Sequence, residues 1–230
     1  MKTRKTMTWS QMLFSAVLVL FMFFAFTSCK NNTTDDDDDY SDDPGTPGLL
    51  YKLDATGKGY EVSMGTADAK EIIIASRYEG KPVREIANSG FYSNKNANAR
   101  NITSVIIPNS VTIIREDAFL LCHYLTSITI SNKIETIERG AFGFCNRLES
   151  ITIPGSINFI DSEVFEFCID LTSVTINAKD PPKLGKETST RKGVFDNTHA
   201  RMQIKVPSGS VDKYKAAEGW STYADKIVAQ

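Results

Sequence analysis

Histidine is nearly absent from this chain. Two occur in 230 residues, His123 and His199, and neither lies in a recognisable nucleophile or metal motif. Three acids that repeat in or next to one column, Glu116, Glu138 and Asp161, offer the one arrangement resembling a catalytic carboxylate pair. Arg115 and Arg139 sit beside them, which favours a solvated charge ladder over general acid–base chemistry. No catalytic residue, cofactor or metal is assigned, and no enzyme activity is expected. Basic excess is missing too: 26 Lys and Arg stand against 28 Asp and Glu. Nucleic-acid binding needs a basic footprint, so nucleic acid is excluded as a partner. No apolar run reaches the ~20 residues of a membrane-spanning helix. Cysteine is scarce, and after Cys29 it occurs only at 122, 145 and 168, an odd number that cannot pair completely.

The N-terminus reads as an address. Residues 1–28 start with Lys2, Arg4 and Lys5, continue through the apolar Met12–Phe26 and end in Thr27 and Ser28, the form of a secretion signal. Cys29 follows directly, as in a lipobox, so it is the expected lipidation site and mature N-terminus. The protein is then tethered to a membrane through that lipid alone. Residues 29–48 are polar and acidic, with Asp35–Asp39 as a block and Pro and Gly punctuation. Nothing there is available for burial, so a disordered spacer is expected. The aspartate block lacks the spaced ligands and turn glycine of a calcium loop. Its position after the cysteine resembles the surface-export signal of Bacteroidetes lipoproteins, which implies an outer-membrane protein facing outward.

From residue 49 a repeat takes over. Phe119, Phe142 and Phe165 are 23 apart, as are Cys122, Cys145 and Cys168, and Ser104, Ser127, Ser150 and Ser173. A fixed period of this length is the signature of a solenoid. Within the unit Leu125–Arg147, Ile128 and Ile130 alternate with Ser127 and Thr129 as on a strand. Ile134 and Ile137 mark a second short extended segment, and Gly140–Cys145 a single helical or 3₁₀ turn. One unit cannot bury enough apolar surface to offset the ordering of its residues, so the units must stack. The predicted fold class is a strand-dominated α/β repeat solenoid, one domain over 49–230.

The ends are read as covers for the stack. Residues 49–70 contain a β-hairpin turning at Ala55–Gly59, expected as the N-terminal cap. Residues 202–230 give a strand and then a helix starting at Ser210, with Trp220, Tyr223 and Ile227 closing the open end. Glu71–Phe91 is a degenerate first repeat. Two surface loops are inserted, Tyr92–Asn101 and Asn177–Lys192. The three repeat cysteines occupy one column, best read as buried thiols that pack the core. A vertical disulfide between adjacent coils fits the ~4.4–6.8 Å Cα window, and His123 beside Cys122 is a faint hint of zinc.

The unit LTSITIPxSVTxIxxxAFxxC resembles the 23-residue leucine-rich repeat of the BspA-like family. Leu125, Ser127, Ile128, Ile130, Ile137, Ala141, Phe142 and Cys145 carry the likeness, with their equivalents in each unit. Tyr78–Val83 and Val206–Lys215 are similar to that family's NGKPV-type and VPxGSVxxYK segments. Ser131 stands in place of a proline, Val164 of an alanine, and Asn94 where the first cysteine is expected. The resemblance implies a right-handed leucine-rich repeat coil in a surface or secreted bacterial protein, with adhesion to host or matrix components in some relatives.

Two outward surfaces then become candidate binding sites. Ser127, Thr129, Ser150, Thr152, Ser173 and Thr175 form hydroxyl columns on the main sheet, although such residues also suit any exposed β face. Ile113 and Phe159 flank Thr136 on the second segments, as an apolar contact line or packed under the inserted loops. The expected function is a surface-anchored, non-catalytic module, monomeric, binding a host or matrix protein or a glycan. The alternative is a structural or assembly partner of another cell-envelope protein.

Overall fold

The computed structural model describes residues 45–189 and 192–230. The expected secretion signal, Cys29 and nearly all of the expected tether lie outside the described residues. Those described belong to one compact unit, Tyr40–Gln230.

The chain opens with an antiparallel hairpin, β1 (Leu50–Leu53) against β2 (Tyr60–Ser63). Next come β3 (Glu71–Ile73) and a small hairpin of β4 (Arg77–Tyr78) with β5 (Lys81–Ile86). Each later coil supplies a main strand and a two-residue second strand. These are β6 (Ser104–Ile106) with β7 (Ile113–Ile114), then β8 (Ser127–Thr129) with β9 (Thr136–Ile137). The next two coils give β10 (Ser150–Ile153) with β11 (Phe159–Ile160), and β12 (Ser173–Ile176) with β13 (Lys183–Leu184). β14 (Gln203–Val206), a short helix α1 (Val211–Ala216) and β15 (Ile227–Ala229) complete the order.

Strands one repeat apart pair in parallel and in register, Ser104 with Ser127 and Ser150 with Ser173. This is the pairing that a 23-residue period dictates. Inside the coil the same period stacks identical side chains. The rings of Phe91, Phe119, Phe142, Phe165 and Phe195 form one file with centroids 5.1, 5.4, 5.7 and 5.6 Å apart. The fully buried Trp220 lies 6.3 Å beyond Phe195, and Tyr223 meets Phe195 edge-on at 5.1 Å. Offset stacking of this kind adds ~0.5–1.5 kcal/mol per pair beyond burial.

The three repeat cysteines are free and buried. Their Sγ atoms donate to the backbone carbonyls of Phe91, Phe119 and Phe142, one coil back, at 3.1, 3.4 and 3.1 Å. Each thiol thus has a partner without a disulfide. Burial pushes Cys122 and Cys168 up to about 12 and Cys145 well above the ordinary thiol range, so all three stay protonated.

Three local expectations need correction. Gly140–Cys145 is neither α- nor 3₁₀-helical but a chain of turns. Its N–H groups alternate between a local carbonyl and the next coil: Gly143 donates to Gly140, whereas Phe142 donates to Val164 and Phe144 to Glu166. The alternation is possible because two positions per coil are left-handed, 117, 140 and 163 in one column and 121, 144 and 167 in the other. Only Gly140 is a glycine among these six, and the inter-coil hydrogen bonds hold the others against a ~1–2 kcal/mol steric cost. Second, α1 is shorter than expected. The Ser210 hydroxyl bonds the Lys179 carbonyl at 2.8 Å rather than capping the helix. Third, the Tyr92–Asn101 loop does not simply project. It folds into a 3₁₀ turn, Ala97–Asn101, with Ala99 buried under Cys122. The insertion lies before Ala99, so it is Ala99, 23 residues ahead of Cys122, that fills the cysteine column; Asn94 is exposed.

Candidate functional site

Side chains alternate along a strand, so the positions between the buried Val105, Ile151 and Val174 face solvent. The hydroxyl residues stand there as expected. Ser127, Thr129, Ser150 and Thr152 are exposed, and Ser173 and Thr175 are half-buried. Register aligns Thr152 with Thr175 and Ser150 with Ser173, so the structure brings all six to one face.

Two features of that face were not anticipated. The column holding Thr129 begins with Ile73 and Ile106, 42% and 48% exposed, in register with each other and with Thr129. The face is therefore apolar at its first end and hydroxylated beyond. The 23-residue step from Ile106 to Thr129 would have revealed this. In addition, the strand ladder stops between β8 and β10, so the face comprises a three-stranded and a four-stranded sheet. A hollow of about 380 Å³ opens at the break between Ser127 and Thr129 on one side and Ser150 and Thr152 on the other. Ile128 at its floor is half-buried, whereas its equivalents Val105, Ile151 and Val174 are buried.

Ile113 and Phe159 share an outward column with Glu85, Thr136 and Lys183, and both are half-buried. Phe159 borders a hollow of about 940 Å³ whose other wall is the inserted segment from Asn177 to Lys183. Beside this column run the carboxylates. Arg115 grips Glu85 through two nitrogens, at 2.8 and 2.9 Å, and Glu138 at 2.8 Å. Arg139 bridges Glu116 and Glu163. Glu138 also accepts the Glu116 N–H at 3.0 Å, and Asp161 accepts that of Ser162 at 2.7 Å. The acids are spent on guanidinium and backbone groups, in a ladder that ties coil to coil. Burial raises the carboxyls of Asp117 and Glu166 above their usual range.

Cys122 and His123 diverge. The thiol bonds inward to Phe91, and His123 Nδ1 lies 3.0 Å from the Phe144 carbonyl. Among the described residues no group of three His, Cys, Asp or Glu is placed to hold a metal. None of their helices is long and apolar enough to cross a membrane. A further surface, unmarked by the sequence reading, lies at the corner after each chain of turns. Phe144 stacks on Phe167 at 4.6 Å, Arg147 lies over the Tyr124 ring at 4.6 Å, and Ile169 is exposed.

Comparison with known proteins adds to this geometry. The BspA type leucine rich repeat region matches residues 84–215 in six copies. Among solved structures the chain is similar to a leucine rich repeat protein of T. pallidum, with TM-score 0.62 and 23% identity over 79% of this chain and 78% of that one. It is similar also to a leucine-rich repeat protein from Bacteroides capillosus, with TM-score 0.49 and 25% identity over 56% of this chain and 94% of that one. A leucine rich cell surface protein from Faecalibacterium prausnitzii gives TM-score 0.45 and 19% identity over 80% of this chain and 53% of that one. At 23% identity the likeness to the T. pallidum protein is one of fold. No curated protein matches the sequence.

Proposed function

Because the chain belongs to the BspA-type leucine-rich repeat family, we propose that it is a non-catalytic binding module that takes a protein or glycan partner on the exposed face of its main sheet. The observation that carries this is the run of in-register outward columns, Ile73–Ile106–Thr129 on one sheet and Thr152–Thr175 on the next, on either side of one hollow. Apolar side chains at one end and hydroxyls at the other match a partner that buries some surface and hydrogen-bonds the rest, as protein interfaces do. The break between β8 and β10 adds a hollow at the middle of the face. The lipobox at Cys29 would hold the module at the outer membrane, facing outward, with the acidic tether as spacer.

A binding screen of the full chain against host matrix proteins, mucins and glycans tests this, run beside a Thr129→Lys/Thr152→Lys variant. Both side chains are exposed, so the variant should fold normally. Expected is a partner that the wild type retains and the variant loses. Retention by both moves the site off this face. Binding to no soluble ligand, together with co-purification of an envelope protein, supports the assembly role instead.

A further inference from the structure

The corner where each coil turns back toward the main sheet holds a hollow of about 460 Å³, bounded by Asn94, Arg100, His123, Tyr124, Asn146 and Arg147. It is the strand-free side of the coil, apart from the sheet face. Arg100 and Arg147 bring two positive charges to it. Neither forms an ion pair with a carboxylate of the described residues. Arg115 and Arg139, by contrast, each hold two glutamates.

Neither arginine is placed by accident. Tyr124 and Arg147 are 23 residues apart and so occupy one position in successive coils. The guanidinium lies over the ring at 4.6 Å. That contact holds the guanidinium beside the hollow, and a guanidinium held by a ring keeps N–H groups for an anion. Arg100 comes from the inserted loop, whose Asn96 side chain donates to the Gly65 carbonyl at 2.8 Å and whose Ala99 is buried. That anchoring sets Arg100 one coil below His123, again 23 residues away.

Neutral hydrogen-bonding groups fill the space between the two charges. The Phe144 carbonyl can only accept, so the 3.0 Å contact places the His123 proton on Nδ1. The other ring nitrogen is then left for a hydroxyl of a ligand. Asn146 turns its amide nitrogen to the carbonyls of Phe144, at 2.9 Å, and Phe167, at 3.2 Å, and its oxygen, with two lone pairs, is an acceptor at the edge of the hollow. Asn94 adds a further carboxamide. The nearest acid in the Tyr124–Arg147 column is Asp170, one coil farther on.

We infer that this corner binds an acidic oligosaccharide, with its anionic groups on Arg100 and Arg147 and its ring hydroxyls on His123, Asn146 and Asn94. The two arginines stand two coils apart, roughly 10 Å in backbone spacing. That separation suits a chain bearing several acidic groups better than a single carboxylate. An exposed aromatic edge, Tyr124 at 43%, and alternating donors and acceptors suit a sugar better than an acidic peptide, which offers carboxylates but few hydroxyls.

The test is titration calorimetry of the full chain at low salt with a hyaluronan hexasaccharide, which carries carboxylates alone, and a chondroitin sulfate hexasaccharide, which adds sulfate. Chitohexaose serves as the neutral control and a hexaglutamate peptide as the acidic one. Binding of either acidic sugar, weakened roughly tenfold or more in Arg100→Gln/Arg147→Gln, supports the inference. The pair of sugars tells whether carboxylate suffices. Circular dichroism of the Gln variant establishes its folding, and an Arg100→Lys/Arg147→Lys variant keeps the charge while losing the planar fork. Binding of the Lys variant as tight as wild type reduces the site to diffuse attraction and overturns the inference. So does tighter binding of hexaglutamate, equal binding of chitohexaose, or no binding of either acidic sugar.

Discussion

The inner and outer columns of this coil share one stacking of coil on coil and use it differently. Inward, the stack repeats the residue itself: phenylalanine five times in one file, three of them 23 residues apart, and cysteine three times. Outward, the stack repeats only the position. One column runs Ile73, Ile106, Thr129, and its continuation beyond the ladder break runs Thr152, Thr175, Lys205. Another pairs Tyr124 with Arg147. A stacked core tolerates little change because each ring is wedged between its copies in two neighbouring coils. An outward side chain meets solvent, and its identity is left to whatever the surface must do.

Truncating a matched pair of phenylalanines measures that contrast at its widest. Phe142→Ala removes a fully buried ring from the middle of the file, and a loss of about 3–5 kcal/mol in urea unfolding is expected. Phe167→Ala removes a ring that is 37% exposed and stacked only on Phe144, and about 1 kcal/mol is expected. Equal losses would mean that the corner is as much a part of the core as the file is.

The cysteine column extends the comparison to pH. Cys122 and Cys168 titrate near 9.0 when unfolded and are pushed up to about 12 by burial in the fold. Between those values the folded state keeps protons that the unfolded state has lost. Stability from this source is therefore complete below pH 9 and falls as pH rises toward 12, by about 1.4 kcal/mol per pH unit for each thiol. Cys145 acts in the same direction. Chemical denaturation followed from pH 8 to 11 should show the decline, and a triple cysteine-to-alanine variant, though less stable throughout, should show a shallower one. Parallel slopes would remove the thiols as its cause.

How much the sequence disclosed follows the same division. Inward residues recur with little change, so the period, the strands and the phenylalanine and cysteine columns are legible from spacing. The six hydroxyl residues were legible because strand alternation follows from the same spacing. The turn chain was not. Leu121, Phe144 and Phe167 adopt left-handed backbone, and no side chain among them signals it; the inter-coil hydrogen bonds that hold it exist only in the stack. Counting from Phe91 assigns Asn94 to the cysteine column, whereas the insertion lies before Ala99. The arginine–tyrosine corner is not legible in the repeat, because Arg100 reaches it from the inserted loop.

The smallest effect expected is the one that separates position from identity most cleanly. Ile106 is 48% exposed and lies in register between Ile73 and Thr129. Ile106→Thr extends the hydroxyl column by one coil and keeps a β-branched side chain suited to the strand. Stability should change by no more than about 0.5 kcal/mol. If the sheet face is the binding surface, partner affinity should fall nonetheless, because an apolar contact is lost at the interface. A stability loss well above that figure would instead mark Ile73 and Ile106 as part of the fold's own packing, and their exposed position would then say nothing about a partner.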